Sequence, residues 1–176
     1  MIPAHFLTDS NVPIPFDQGE RVNIQKLITA SCFVAAALAA SGCAMPGAGG
    51  GKVVLSTDQV YPAIGPYSQM VGHGKLIYFS GVIALNKAGT AIEGATIEEQ
   101  TNKVLGYIGA ELASQGLGFE DVLTSTVYMQ DLNEFAAMNA VYGQYFKKDP
   151  PSRATLQVAR LPRDAKIEIA IIAARR

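Results

Sequence analysis

The chain has 176 residues, 49% of them apolar and 16% charged, with a formal net charge of -1 at neutral pH. That length holds one domain plus a tail, with apolar residues enough for a proper core. From Lys52 onward, twelve lysines and arginines balance twelve aspartates and glutamates, so this part offers no electrostatic footprint for nucleic acid or an anionic membrane.

Residues 1–43 read as a leader. Lys26 precedes an uncharged apolar run from Leu27 to Ala40. The run is too short to span a hydrocarbon core of about 30 Å but suits a secretory signal. Ser41-Gly42-Cys43 follows, small side chains before a cysteine, an arrangement that resembles a bacterial lipoprotein signal with Cys43 as the acylated residue. Position -3 is Ala40, where that pattern prefers leucine, and only Arg21 and Lys26 supply positive charge nearby. Residues 1–21 are polar and acidic, unlike the start of a signal, and initiation at Val22 would give a leader of ordinary length. A buried apolar helix is the other reading of the run. The expected location is the cell envelope on the periplasmic side, held only by a lipid at Cys43, or the cytoplasm if the leader is not processed. Residues 44–52 are Gly-rich and read as a flexible tether.

The domain is expected over 53–176. Both cysteines, Cys32 and Cys43, precede it, so it has no disulfide, thiol nucleophile or thiolate metal site. His73 is its one histidine, which excludes most histidine-based metal sets and triads. Val53–Leu55 is a short β-type run. Tyr61–Pro66, with two prolines and a glycine, is a loop. Tyr67–Val71 and Leu76–Ser80 read as strands joined by a turn at Gly72–Gly74. Asn86–Gly94 is a polar loop.

Thr96-x-x-Glu99 is a capping box that opens a helix. Ile97, Thr101, Val104, Leu105, Ile108 and Leu112 recur at helical spacing, and Gly116 suits the left-handed residue after its end. Asp121–Asp131 is a strand rich in Val, Thr and Tyr. A second capping box, Asp131-x-x-Glu134, would open a helix marked by Phe135, Met138, Val141, Tyr142 and Tyr145, ended by Pro150-Pro151. Ala154–Ala159 and Ile167–Ala173 are the last strands. The second is nearly all apolar after Glu168, which predicts burial on both faces. The order predicts an α+β fold with helices on one face of a mixed sheet. A homo-oligomer is the simple way to bury the other face.

Seven segments in order resemble the Rid (YjgF-type, reactive-intermediate deaminase) family: Ala63-Ile-Gly-Pro-Tyr67-Ser-Gln, Tyr78-Phe-Ser-Gly81, Gln100-Thr-Asn-Lys-Val-Leu105, Asp121-Val-Leu-Thr-Ser-Thr-Val127, Phe135-Ala-Ala-Met-Asn139-Ala-Val-Tyr142, Pro151-Ser-Arg153-Ala-Thr, and Gln157 through Ile169. The resemblance implies a chorismate-mutase-like fold and a homotrimer with clefts between subunits. It also implies hydrolysis of enamines and imines such as 2-aminoacrylate and 2-iminopropanoate to 2-oxo acids and ammonia, without cofactor or metal. The partners it implies are a small imino or oxo acid and further copies of the chain, not nucleic acid.

A 2-imino acid offers a carboxylate and a polarised C=N carbon. Arg153 is the expected carboxylate clamp, because a guanidinium fork matches a carboxylate bidentately. Residue type alone favours a surface arginine in an ion pair, and the family match reverses that preference. Tyr67 matches the family's Gly-Pro-Tyr position lining the cleft and is the second expected catalytic residue, or else a core tyrosine. Ser80 and Gly81 match a turn where substrate nears the backbone, Asn139 a helix asparagine near the cleft, and Thr155 a position that carries Cys in some members. His73 reads as an exposed turn residue.

The resemblance also implies a water-positioning glutamate, read as the second of an Ile-Glu-Ile-Glu strand. Here the strand is Ile167-Glu168-Ile169-Ala170, so Ala170 stands in that place, and Glu168 lies two residues, roughly 6.6–6.8 Å, away. Val82 likewise follows Ser80-Gly81 where many members carry Gln. The expectation is therefore an attenuated deaminase. The alternative is a non-catalytic trimeric binder of small carboxylates at the envelope. A ribonuclease reading ranks below both, since the neutral domain has no basic patch.

Overall fold

The computed structural model describes residues 51–176, and the readings of the leader, of Cys43 and of the tether up to residue 50 lie outside them. Seven strands form one mixed sheet: β1 (Val53–Leu55), β2 (Met70–His73), β3 (Leu76–Phe79), β4 (Val82–Ile83), β5 (Val122–Met129), β6 (Ser152–Gln157) and β7 (Ile167–Ala174). Two helices, α1 (Ile97–Ser114) and α2 (Phe135–Tyr145), cover one face. The spatial order is β1-β2-β3-β7-β5-β6, and β4 continues the β3 edge alongside β7. Only β5 and β6 run parallel, joined through α2.

The capping box forms as predicted. Thr96 Oγ1 accepts the Glu99 amide at 3.2 Å, and Glu99 Oε2 accepts the Thr96 amide at 3.2 Å. The six apolar-stripe residues from Ile97 to Leu112 are all buried. Each large side chain among them contributes about 1.5–3 kcal/mol by leaving water. Gly116 takes φ 71°, left-handed, and Leu117 N–H closes the end onto the Leu112 carbonyl at 3.0 Å.

Several boundaries differ from expectation, each for a local reason. Tyr67 is not in a strand: its amide turns back to the Gly65 carbonyl at 2.9 Å, and β2 begins at Met70. His73 ends β2, and the reversal is the two residues Gly74-Lys75, with Gly74 left-handed at φ 58°. The second capping box forms only in part. Asp131 accepts from the Asn133 amide at 2.8 Å and caps a 3-10 turn, whereas Glu134 pairs with Lys166 at 3.0 Å. β6 starts at Ser152, so Arg153 and Thr155 both sit within it.

Within one chain the last strand is buried on one face only, and the expected cover of its other face would have to come from a further copy. In β7, Ile167, Ile169, Ile171 and Ala173 are buried under the helices, while Glu168, Ala170, Ile172 and Ala174 are only half-buried. The period of two sends alternate side chains to opposite faces, and within one chain only one face has a cover. The uncovered face is nevertheless apolar: in register across it lie Val54, Val71, Tyr78 and Ile172, with Leu156 beyond. Tyr78 and Leu156 remain 44% and 45% exposed.

Candidate functional site

Two depressions hold all the predicted site residues of the domain but Thr155. The first is a cleft of about 450 Å³ at the break between β3 and β4, walled by the 61–67 loop and closed at one end by Pro162. Tyr67, Ser80, Gly81 and Glu168 all line it. The Gly65-Pro66 turn folds Tyr67 back over its own loop, where its hydroxyl accepts the Ile64 amide at 3.2 Å. That acceptor role leaves the phenol proton free to donate. Ser80 donates its hydroxyl to the Ser68 carbonyl at 2.7 Å, which ties the loop to the strand break. Tyr61 forms the inner wall; its hydroxyl accepts the Ile83 amide at 3.1 Å.

Gly81 is required by proximity. A Cβ there would lie 1.8 Å from Glu168 Oε1, so only glycine lets this carboxylate reach across the strand break into the cleft. Glu168 stands opposite Ile83 in the β4–β7 pairing and is half-buried. Burial raises its pKa above the ordinary carboxylate value. Residue 170 pairs with Thr126 and lines neither depression. The expectation that Glu168 stands too far from the chemistry, and that Ala170 leaves the site without a carboxylate, is thereby corrected. The first glutamate of the strand, not the second position, faces the cleft.

The second depression, also about 450 Å³, is lined by Arg153 and Asn139 with Tyr142, Gly143 and Pro150-Pro151. β6 sets Arg153 beside Ser125 of β5, on the side that α2 covers. Its guanidinium carbon lies 4.6 Å from the Tyr142 ring centre and 5.7 Å from that of Phe135. Cation–π contact with the two rings therefore restrains the guanidinium. Tyr142 is itself fixed by a 2.7 Å hydrogen bond to the buried Ser125 hydroxyl. Among the described residues Arg153 forms no salt bridge, so the ion-pair reading of this residue is not what the fold shows. Thr155 lies two residues on, paired with Val127, and lines neither depression. No group of His, Cys, Asp and Glu suited to a metal occurs among the described residues.

Within one chain, then, Arg153 and Asn139 form one half-site and Tyr67, Ser80, Gly81 and Glu168 another, with no lining residue in common. The sequence reading missed Tyr61, Glu168, Tyr142 and the aromatic seat of Arg153. Aromatic residues at positions 135 and 142 were visible only as a helix face, because the arginine reaches them through the β5–β6 pairing.

Comparison with known proteins agrees with this architecture. A family model described as endoribonuclease L-PSP matches residues 57–175. A RutC family protein of Saccharolobus solfataricus is 43% identical over 122 residues, covering 69% of this chain and 97% of that protein. A 2-iminobutanoate/2-iminopropanoate deaminase of Capra hircus is 41% identical over 121 residues, covering 68% of this chain and 88% of that one. The chloroplastic Reactive Intermediate Deaminase A of Arabidopsis thaliana is 38% identical over 122 residues, covering 69% and 65%. Among solved structures, E. coli TdcF with bound serine superposes with a TM-score of 0.66 at 37% identity, covering 70% of this chain and 99% of that one. With a family model matching residues 57–175 and relatives about 40% identical over some 120 residues, this chain belongs to the endoribonuclease L-PSP family, the RutC and Rid proteins.

Proposed function

We propose that this protein hydrolyses small 2-imino and enamine acids to 2-oxo acids and ammonia, in clefts formed where the two half-sites of neighbouring subunits meet in a homotrimer. One observation carries this reading. A stacked guanidinium without an ion-pair partner faces out on one side of the chain, and a half-buried carboxylate beside a tyrosine faces out on another. Neither half is a complete site. The apolar open face of the sheet supplies the contact that would join copies, and the deaminase names of two relatives supply the substrate class.

The chemistry follows from the groups. Arg153 grips the substrate carboxylate through two charge-assisted hydrogen bonds, its plane held by Tyr142 and Phe135. Glu168, ionised, holds a water and takes its proton as the oxygen attacks the C=N carbon. The same proton then returns to nitrogen; the regenerated carboxylate takes the hydroxyl proton as that O–H pair forms C=O, and the C–N bond breaks to release ammonia. Tyr67 donates to the developing charge, and the Ser80-Gly81 backbone lets the substrate approach closely. General acid–base assistance of this type is worth typically 10²–10⁴-fold, and Glu168 in the cleft is the group to supply it.

The cleft holds Glu168 and no lysine or arginine, the opposite of a phosphate-tracking groove, which sets ribonuclease chemistry below imine hydrolysis. Non-catalytic binding of a small carboxylate is the second reading, favoured by the relative solved with serine bound. The two separate in one experiment: 2-iminopropanoate is formed in situ from alanine by an amino-acid oxidase and its decay followed. Acceleration by wild type that E168Q abolishes supports hydrolysis; calorimetric binding of pyruvate without acceleration supports the binder. The cell envelope, with Cys43 lipidated, remains our proposal for location, since the leader lies outside the described residues.

A further inference from the structure

Behind the cleft lies a glutamate that the chemistry above does not use. Glu111 sits on α1, on the same stripe as Val104, Ile108 and Leu112, and is only 3% exposed. Its Oε2 has no hydrogen-bond partner among the described residues. An apolar side chain would fill this position at lower cost, because an unpaired buried carboxyl forfeits its solvation.

The carboxyl is not enclosed by apolar groups alone. It lines a small cavity together with Tyr61, Tyr67, Gln69, Ser80 and Gly81. Four of these, Tyr61, Tyr67, Ser80 and Gly81, also wall the cleft on its other side. Measured to a water's centre the cavity holds about 10 Å³, the room of a single water. Gln69 is already spent: its side chain accepts from the Thr57 amide at 2.8 Å and donates to the Tyr61 carbonyl at 2.9 Å. A water there would lie between Glu111 and the residues that also wall the cleft, Tyr61, Tyr67, Ser80 and Gly81.

We infer that Glu111 is a buried proton store for this cleft, passing its proton through one water in the small cavity to an enamine bound in front of it. This rests on the deaminase reading. The step balances as follows. The Glu111 O–H bond breaks and the water takes that proton while giving up one of its own to C3 of the enamine. The C2=C3 pair forms the new C3–H bond, and the nitrogen lone pair forms C2=N. The product is the iminium that hydrolysis consumes. Glu111 is left as a carboxylate and regains a proton from solvent at the end of the cycle. Net, the enamine acid anion, one water and one proton yield the 2-oxo acid anion and ammonium. Glu111 is a positioning residue in this scheme, since it acts through water.

The surroundings keep the carboxyl protonated and neutral. Tyr61 and Tyr67 of the loop face it, Tyr107 of α1 packs edge-on against the Tyr61 ring, and Glu168 of β7 lies beyond Tyr61. No lysine, arginine or histidine lines the cavity. With burial and no cation to offset it, the carboxyl pKa is pushed up to about 8.

The test compares full-length wild type, E111Q, which keeps the shape, and E111M, which keeps the volume without polarity. 2-Aminoacrylate is generated from serine by a pyridoxal-phosphate dehydratase, and kcat/KM is followed on both sides of pH 8. In parallel, the infrared carbonyl band of protonated carboxyls is recorded for wild type across the same range. The expected result is a wild-type rate that falls as pH rises through about 8, with the band titrating alongside. E111Q and E111M should lose about tenfold or more below that pH and show no such fall. An active wild type with variant profiles that superimpose on it, or a wild type lacking the titrating band, overturns this inference and leaves the deaminase reading standing. A wild type that accelerates nothing overturns both.

Discussion

At the scale of single residues, the site depends on two contacts that a sequence pattern does not display. Gly81 faces Glu168 so closely that even a methyl group would displace the carboxyl. Gly81→Ala should therefore leave the melting temperature within a few degrees of wild type while imine hydrolysis falls on the order of 10²-fold. A variant with wild-type turnover would remove Glu168 from the reaction. Arg153→Ala removes the carboxylate clamp without exposing a buried partner, because no acid is paired with it. Pyruvate binding should weaken by about 2 kcal/mol or more in calorimetry, with the fold intact by circular dichroism.

Glu168 and Glu111 also predict opposite limbs of pH behaviour. Glu168 must be ionised to take a proton from water, and burial raises its pKa, so activity should be lost on acidification at a pH above the ordinary glutamate range. For Glu111 the folded-state pKa, about 8, lies above the unfolded value of 4.5. A carboxyl of that kind contributes stability that is fully present below the unfolded value and is lost as pH rises through the folded one. The urea midpoint of wild type should thus fall between about pH 4.5 and 8 relative to E111Q, and the difference should level off above. Parallel midpoints for the two proteins across that window would show that the residue is neither buried nor neutral.

At the scale of elements, α1 carries most of the cover of the sheet, and its start is set by a reciprocal cap. Ile108→Ala, at the centre of the buried stripe and fully enclosed, should cost about 2–5 kcal/mol in denaturant unfolding. Thr96→Ala should cost about 0.5–2 kcal/mol, since it leaves the Glu99 amide without its acceptor. These elements were legible in the sequence because their signals are local: a capping box, a 3.6-residue stripe, a glycine after the last turn. β4 was not legible. Two residues long, it exists only because β7 offers a partner. The failure at Ala170 has the same origin. Residues 168 and 170 share a face, and nothing in the strand itself says which one meets the cleft; the β3–β4 break beside Gly81 decides it.

At the scale of the whole molecule, the neutral charge and the apolar open face point the same way. A face carrying Tyr78, Ile172 and Leu156 in a chain with no field of one sign should self-associate. Full-length protein is expected to elute and scatter as a trimer, and Leu156→Asp, which places a charge on the exposed apolar face, should give monomer with deaminase activity lost. Monomeric wild type, measured by light scattering, would leave Arg153 and Glu168 on separate, incomplete half-sites. A mass of the mature chain beginning at a lipidated Cys43 would establish the envelope location.

The sequence by itself determined the α+β class, the helices α1 and α2, Tyr67, Ser80 and Gly81 of the cleft and the family, because those rest on periodicity, caps and short motifs that operate within a few residues. Tertiary structure decided which carboxylate faces the cleft, which aromatic rings hold Arg153, and that a second acid, Glu111, stands behind the wall. Each of those depends on strand register or on the approach of distant segments, distances that side-chain packing sets and that spacing along the chain does not encode.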